Sequence, residues 1–174
     1  MCLKIDDRVK AYGTIDELNS ALGVLGALIE DKVLKQELEQ IQQLLFDCGN
    51  DIATPEGPSV YRLKQESVDW LEERIDVYAQ IPPEVSTFVL PGGCLAASMA
   101  HLVRTVARRA EREMITFQWT MPTNQVAIKF VNRLSDYFFA HARLLNAKEN
   151  YPETIYHNGQ AVFHNDISKE DIED

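Results

Sequence analysis

The chain has 174 residues, 45% apolar and 25% charged, with a formal net charge of −10 at pH 7. That length supports one domain with a sizeable core. The acidic balance argues against nucleic acid as a partner, although a local Arg cluster can still outweigh it for a small anion.

Cys2, Cys48 and Cys94 are odd in number, widely spaced and free of any CxxC pair. Neither a disulfide framework nor a protein-held metal is suggested. The sequence reads without a signal peptide and without an apolar run of bilayer length, so the expectation is a cytoplasmic protein with no membrane partner.

Five helices are expected, in chain order. Thr14-Ile15-Asp16-Glu17 has the form of a capping box and predicts a first helix starting near Thr14, with Leu18, Leu22 and Leu25 on its apolar face. A second helix is predicted from about Asp31 to Ile52, with Leu34, Leu38, Ile41 and Cys48 in one stripe. Thr54-Pro55-Glu56-Gly57-Pro58 is a loop. A third helix spans roughly Lys64 to Ala79 and is stopped by Ile81-Pro82-Pro83. Thr87-Phe88-Val89-Leu90 is a short extended stretch ending at Pro91-Gly92-Gly93.

The fourth helix, about Cys94 to Trp119, opens with small residues (Ala96, Ala97, Ser98, Ala100) and continues with Arg104, Arg108, Arg109 and Arg112. Small residues permit close helix approach or leave room for a ligand. The fifth runs from about Thr123 to Ala147 and is apolar through Val126, Phe130, Leu134 and Phe138. Residues 165–174 read as a frayed acidic tail. Long helices with short connections and no linker predict a single domain over residues 1–174, all-α, an up-and-down bundle of four or five helices.

Arg104, Arg108 and Glu111 stand at i, i+4 and i+7 and share one helix face, while Arg109 and Arg112 point elsewhere. Forked guanidinium donors suit phosphate oxygens. On spacing alone the commoner outcome is a solvated face with ion pairs such as Arg108–Glu111 and Arg109–Glu113. Asn132, Asp136, Phe139 and Arg143 form a second single-face row, and Asn132 is a poor helix former in mid-helix. Pro91-Gly92-Gly93 is either a plain turn or a presenter of backbone N–H groups. His101, His141, His157 and His164 are dispersed, with no Glu-x-x-His of a di-iron bundle.

Four ordered blocks resemble one known family. They are Arg8-Val9 with Ala11-Tyr12-Gly13-Thr14-Ile15-Asp16-Glu17-Leu18-Asn19-Ser20, then Phe88-Val89-Leu90-Pro91-Gly92-Gly93, then Arg104 through Arg112, and Asn132-Arg133-Leu134-Ser135-Asp136-Tyr137-Phe138-Phe139. Their order and spacing are similar to PduO-type ATP:corrinoid adenosyltransferases. The resemblance spans about Arg8 to Asn146 and implies a ferritin-like cobalamin adenosyltransferase bundle. The implied enzyme transfers the 5′-adenosyl group of ATP to the cobalt of cob(I)alamin, releasing tripolyphosphate.

The same resemblance implies a homotrimer with sites between subunits, Mg²⁺ accompanying ATP, and a flavin-type reductase as a compatible partner. Arg108, with Arg109 and Glu111, would meet the triphosphate, and Asn132 the nucleotide. Arg104 would pair with Asp16 across the subunit boundary. Phe88 would sit under the corrin and displace the lower axial ligand, with Phe163 adding to that apolar wall. The family's opening segment, T-K-T-G-D-x-G-x-T, which wraps the ATP phosphates, is not matched by Met1-Cys2-Leu3-Lys4-Ile5-Asp6-Asp7. Two other readings stay open at this stage: a relative that binds corrinoid or nucleotide without turnover, and an unrelated interaction bundle.

Overall fold

A computed structural model describes residues 7–54 and 61–157. It contains five helices: α1 (Asp7–Leu28), α2 (Lys32–Ala53), α3 (Gln65–Ala79), α4 (Leu95–Thr120) and α5 (Gln125–Lys148). The expected all-α bundle is what forms. Among the described residues no helix is long and apolar enough to cross a membrane.

Local chemistry accounts for the helix starts. Asp31 caps α2 by accepting from the N–H groups of Val33 and Leu34, and Asn124 caps α5 by accepting from Val126. Cys94 caps α4, its sulfur accepting weakly from the Ala97 N–H at 3.5 Å. The start of α1 corrects the sequence reading. The helix begins at Asp7, so Thr14 lies inside it and caps nothing. Its hydroxyl instead accepts no cap N–H but donates back to the carbonyls of Lys10 and Ala11. The Thr-x-x-Glu pattern fits a helix interior as well as a start, and the helix runs through Gly13 without a break.

Packing runs α2–α1–α4–α5–α3, each helix against the next. The small residues of α4 serve this packing: Ala97, Ala100, Ala107 and Ala110 are fully buried. Leu18, Leu22, Leu38, Ile41, Phe117, Phe130 and Phe138 fill the middle, with Cys48 among them. Burial holds the Cys48 thiol far above its ordinary value, so it stays protonated and inert.

The α2 and α3 ends of this row meet through polar groups. The Tyr78 hydroxyl of α3 and the Tyr137 hydroxyl of α5 both donate to Glu37 of α2, the latter at 3.2 Å. Arg74 stands 3.8 Å from the other Glu37 oxygen. A second buried acid, Asp51, accepts from the N–H groups of Arg62 and Leu63 and from the Asn124 side chain. It thereby pins the chain entering α3 to the start of α5.

Candidate functional site

Residues 80–94, between α3 and α4, form a strap across one side of the bundle. Three sets of contacts hold it. Val89 pairs antiparallel with Ile155, the Leu90 N–H donating to the Thr154 carbonyl and the Tyr156 N–H to the Phe88 carbonyl, both at 2.8 Å. Arg143 of α5, 8% exposed, makes a forked ion pair with Glu153 and also donates to the Pro83 carbonyl. Asn146 accepts from the Cys94 N–H at 3.0 Å and donates to the Gly92 carbonyl at 3.1 Å.

The last contact explains Gly93. Its φ is +116°, and a Cβ there would fall 2.0 Å from the Asn146 side-chain oxygen. Only glycine permits both the turn and the close approach. The Pro91-Gly92-Gly93 turn is thus a clamped corner that aims the strap.

The strap backs a cavity of about 770 Å³ lined by Val85, Phe88, Pro91, His101, Arg104 and Phe139, with Arg143 at its edge. Phe88 is held at its backbone and is 61% exposed, on the wall of the cavity. His101 is buried, and burial, then the charge of Arg104, push its pKa below the ordinary histidine value. It is therefore neutral. Arg104 is half-buried, and its Nε has no protein partner. Burial, then the nearby Arg108 charge, lower its pKa.

One turn further along α4 the same face becomes open and cationic. Arg108 is exposed and has no ion-pair or hydrogen-bond partner among the described residues. The expected Arg108–Glu111 and Arg109–Glu113 pairs do not form. Glu111 instead accepts from the Asn132 amide at 2.7 Å, and Arg109 pairs with Glu17 of α1. Intrahelical pairs lose here because α1 and α5 bring better-placed partners to the α4 surface. Arg109, Arg112 and Glu17 also line a shallow recess of about 400 Å³ beside Leu102 and Val106.

The structure thus brings Arg104, Arg108, Glu111, Asn132 and Phe88 onto one continuous side, with Arg109 at its border. Asp16 is exposed and lines a separate small recess with Tyr12 and Phe46, so it does not meet Arg104 within one chain. Phe163 lies outside the described residues. Sequence reasoning passed over His101 and Asn146, and read Arg143 only as one of a row. The i, i+3 spacing of His101 and Arg104 was the available signal for the first. The partners of Arg143 and Asn146 are too distant in sequence to give one.

Among the described residues no group of three or more His, Cys, Asp or Glu could hold a metal ion. The polar equipment suits an anion beside a large, mostly apolar ligand.

Comparison with known proteins gives a consistent result. The family model described as cobalamin adenosyltransferase matches residues 1–145. A corrinoid adenosyltransferase of Bacillus subtilis (strain 168) is 42% identical over 167 residues, covering 94% of this chain and 86% of that protein. One from Mycobacterium leprae (strain TN) is 41% identical over 153 residues, covering 82% and 80%. A variant PduO-type ATP:corrinoid adenosyltransferase from Lactobacillus reuteri, complexed with cobalamin and ATP, superposes with a TM-score of 0.90 at 48% identity. That match covers 93% of this chain and 90% of the other.

Proposed function

The chain belongs to the cobalamin adenosyltransferase family, and from that membership we propose how its own residues carry out the reaction. The activity is ATP-dependent adenosylation of cobalamin, with ATP and cobalamin as substrates. The chemistry is a displacement. Cobalt(I) supplies the electron pair of the new Co–C bond to the C5′ carbon of ATP. The C5′–O bond breaks, and its electrons leave on tripolyphosphate. Catalysis therefore requires positive charge where the triphosphate gathers negative charge.

The observation that carries the residue assignment is the split character of one α4 face. It runs from an apolar cavity, with Phe88, Phe139 and Arg104 on its wall, to the open and unpaired Arg108. An apolar macrocycle next to an anionic chain has the complementary pattern. On this reading Arg108 donates to the triphosphate, and Arg109 reaches it from the border of the site. Glu111 and Asn132, already hydrogen-bonded to each other, orient the nucleotide. Mg²⁺ would neutralise part of the triphosphate charge, with phosphate oxygens as its ligands.

Phe88 presses its exposed ring against the lower face of the corrin and keeps a lower axial ligand off the cobalt. Reduction of Co(II) to Co(I) is easier without that ligand, and an apolar ring offers no replacement. The clamps at Arg143 and Asn146 suit this role, because a wedge must not yield. A flavin-type reductase is a suitable electron source.

We further propose a homotrimer in which Arg104 of one subunit pairs with Asp16 of its neighbour. Among the described residues neither has an ion-pair or hydrogen-bond partner, and they lie on different recesses, which supports a contact supplied by a second copy. Mixing separately inactive Asp16→Asn and Arg104→Ala preparations tests this. Shared sites predict partial recovery of activity in mixed trimers, and no recovery counts against it.

The test of the whole reading is an anaerobic assay with chemically reduced cobalamin and Mg-ATP, following the visible spectrum of the Co–C product. Arg108→Ala should lower kcat/KM by roughly 100-fold or more, the effect of losing a charge-stabilising donor. Unchanged turnover in that variant would remove the phosphate-binding assignment.

A further inference from the structure

His101 is 3% exposed, and neither ring nitrogen has a protein hydrogen-bond partner. The ring sits on the wall of the 770 Å³ cavity, with Phe139 edge-on to it at 6.3 Å between centroids. A buried donor or acceptor left unmade is costly, so such a group usually has a partner in the working state. Of the guanidiniums on the cavity wall, Arg104 and Arg143 carry donors only and so cannot accept from the ring N–H, and Arg143 is already committed to Glu153 and Pro83. Phe139 and Phe88 carry neither.

A neutral imidazole has one donor and one acceptor, at opposite edges of a flat ring. A half-turn about Cβ–Cγ exchanges each nitrogen with a carbon, so either can be brought to the cavity side. An incoming carboxylate could use only the donor. A primary carboxamide can use either edge, offering its oxygen to the N–H or its NH₂ to the bare nitrogen. Corrinoids carry primary carboxamides around the rim of an apolar macrocycle.

We propose that His101 is a specificity-determining residue for the corrinoid, hydrogen-bonding a rim carboxamide of the macrocycle held between Phe88 and Phe139. This rests on the reading of the cavity as the corrinoid site. The charged groups around His101 fit the role. Burial, then the charge of Arg104 on α4, disfavour a protonated imidazole, which would lose its acceptor, while Glu153, paired with Arg143 of α5, acts in the opposite direction.

The test compares wild type, His101→Gln and His101→Phe in the anaerobic assay and in titrations with cob(II)alamin. Cobalamin derivatives with one rim carboxamide hydrolysed to a carboxylate serve as further substrates. His101→Phe should raise the corrinoid KM about 10-fold, with the ATP KM and the circular dichroism spectrum unchanged. His101→Gln, which keeps a donor and an acceptor, should stay within about threefold. One derivative should bind wild type more weakly than the others, and His101→Phe should erase that difference.

An unchanged corrinoid KM in folded His101→Phe would overturn the proposal. So would equal discrimination among the derivatives in wild type and variant. Should His101→Phe not fold, His101→Gln and the derivative series in wild type decide the matter, since a rim contact requires one outlying derivative. Nitrogen superhyperfine coupling in the Co(II) spectrum that disappears in His101→Gln would make His101 an axial ligand and would also overturn it. If wild type binds no corrinoid while still binding ATP, the cavity assignment itself fails, a result distinguishable from the others.

Discussion

His101 and His141 are the same chemical group in two settings. Both are buried, and in both neither nitrogen has a protein partner. His141, on α5, is enclosed. Tyr137 stacks on it at 5.3 Å, Tyr78 stands edge-on at 5.9 Å and Phe138 at 6.5 Å. His101, on α4, has one ring beside it and a cavity on the other side. An orphaned imidazole surrounded by side chains is a feature of the core. The same imidazole on the wall of a cavity is placed to recognise a ligand. Burial and missing partners do not separate the two cases; the adjoining volume does.

The largest effect that can break this contrast comes from the rings themselves. Tyr137 is fully buried, and Tyr137→Ala should cost about 3–5 kcal/mol of stability in urea denaturation. Phe139 is 38% exposed beside the cavity, and Phe139→Ala should cost less than about 1.5 kcal/mol while raising the corrinoid KM. Equal losses of stability would mean that the cavity wall is core after all.

Acid provides the next test. Burial, then the Lys148 charge, lower the His141 pKa to about 4, with Asp31 acting weakly in the opposite direction. The folded pKa lies below the unfolded value of about 6.5, so the neutral form is the one the fold prefers. Its contribution is whole above pH 6.5 and is lost as pH falls toward 4. The loss amounts to about 3 kcal/mol. Carboxylates titrate in the same window, so the informative quantity is the difference between wild type and His141→Phe, measured by urea midpoints from pH 7 to pH 4. A pH-independent difference would show that protonation of this ring is not opposed.

Arg143 tests how the open side is kept in shape. Arg143→Met leaves Glu153 without its forked partner and removes the donor to Pro83. Because the segment after α5 can carry the freed Glu153 into water, the cost should be about 2 kcal/mol, below that of breaking a fully buried pair. The corrinoid KM should rise with it, and the ATP KM should not. A rise in the ATP KM alone would place the strap's influence elsewhere.

Much of this was legible in the chain. The five helices follow from 3.6-residue periodicity, and Pro91-Gly92-Gly93 was visible as a turn. The Arg row on α4 was visible as a charged face. What could not be read were pairings made across helices. Glu17 reaches Arg109 from α1, and Asn132 reaches Glu111 from α5, where local spacing suggested intrahelical pairs. The error at Thr14 has the same origin, since a short pattern was given weight that the uninterrupted helix from Asp7 overrides. His101 and His141 are indistinguishable as sequence, each a lone histidine on an apolar stretch of helix.

The smallest effects on stability sharpen the contrast between place and chemistry at the surface. Arg109 and Arg133 have equal side-chain exposure, 44%, and each is paired with carboxylates from another helix: Arg109 with Glu17, Arg133 with Glu72. Exposed pairs of this kind contribute less than about 1 kcal/mol, so Arg109→Ala and Arg133→Ala should both leave the urea midpoint nearly unchanged. Their kinetics should differ. Arg109 borders the face with Arg108, and losing a charged donor to phosphate should raise the ATP KM by roughly 10-fold. Arg133, paired toward α3, should leave it within experimental error. A general loss of positive charge would raise the ATP KM in both variants, and by an amount that fades with added salt. A contact would raise it in Arg109→Ala alone, and the difference would persist at high ionic strength.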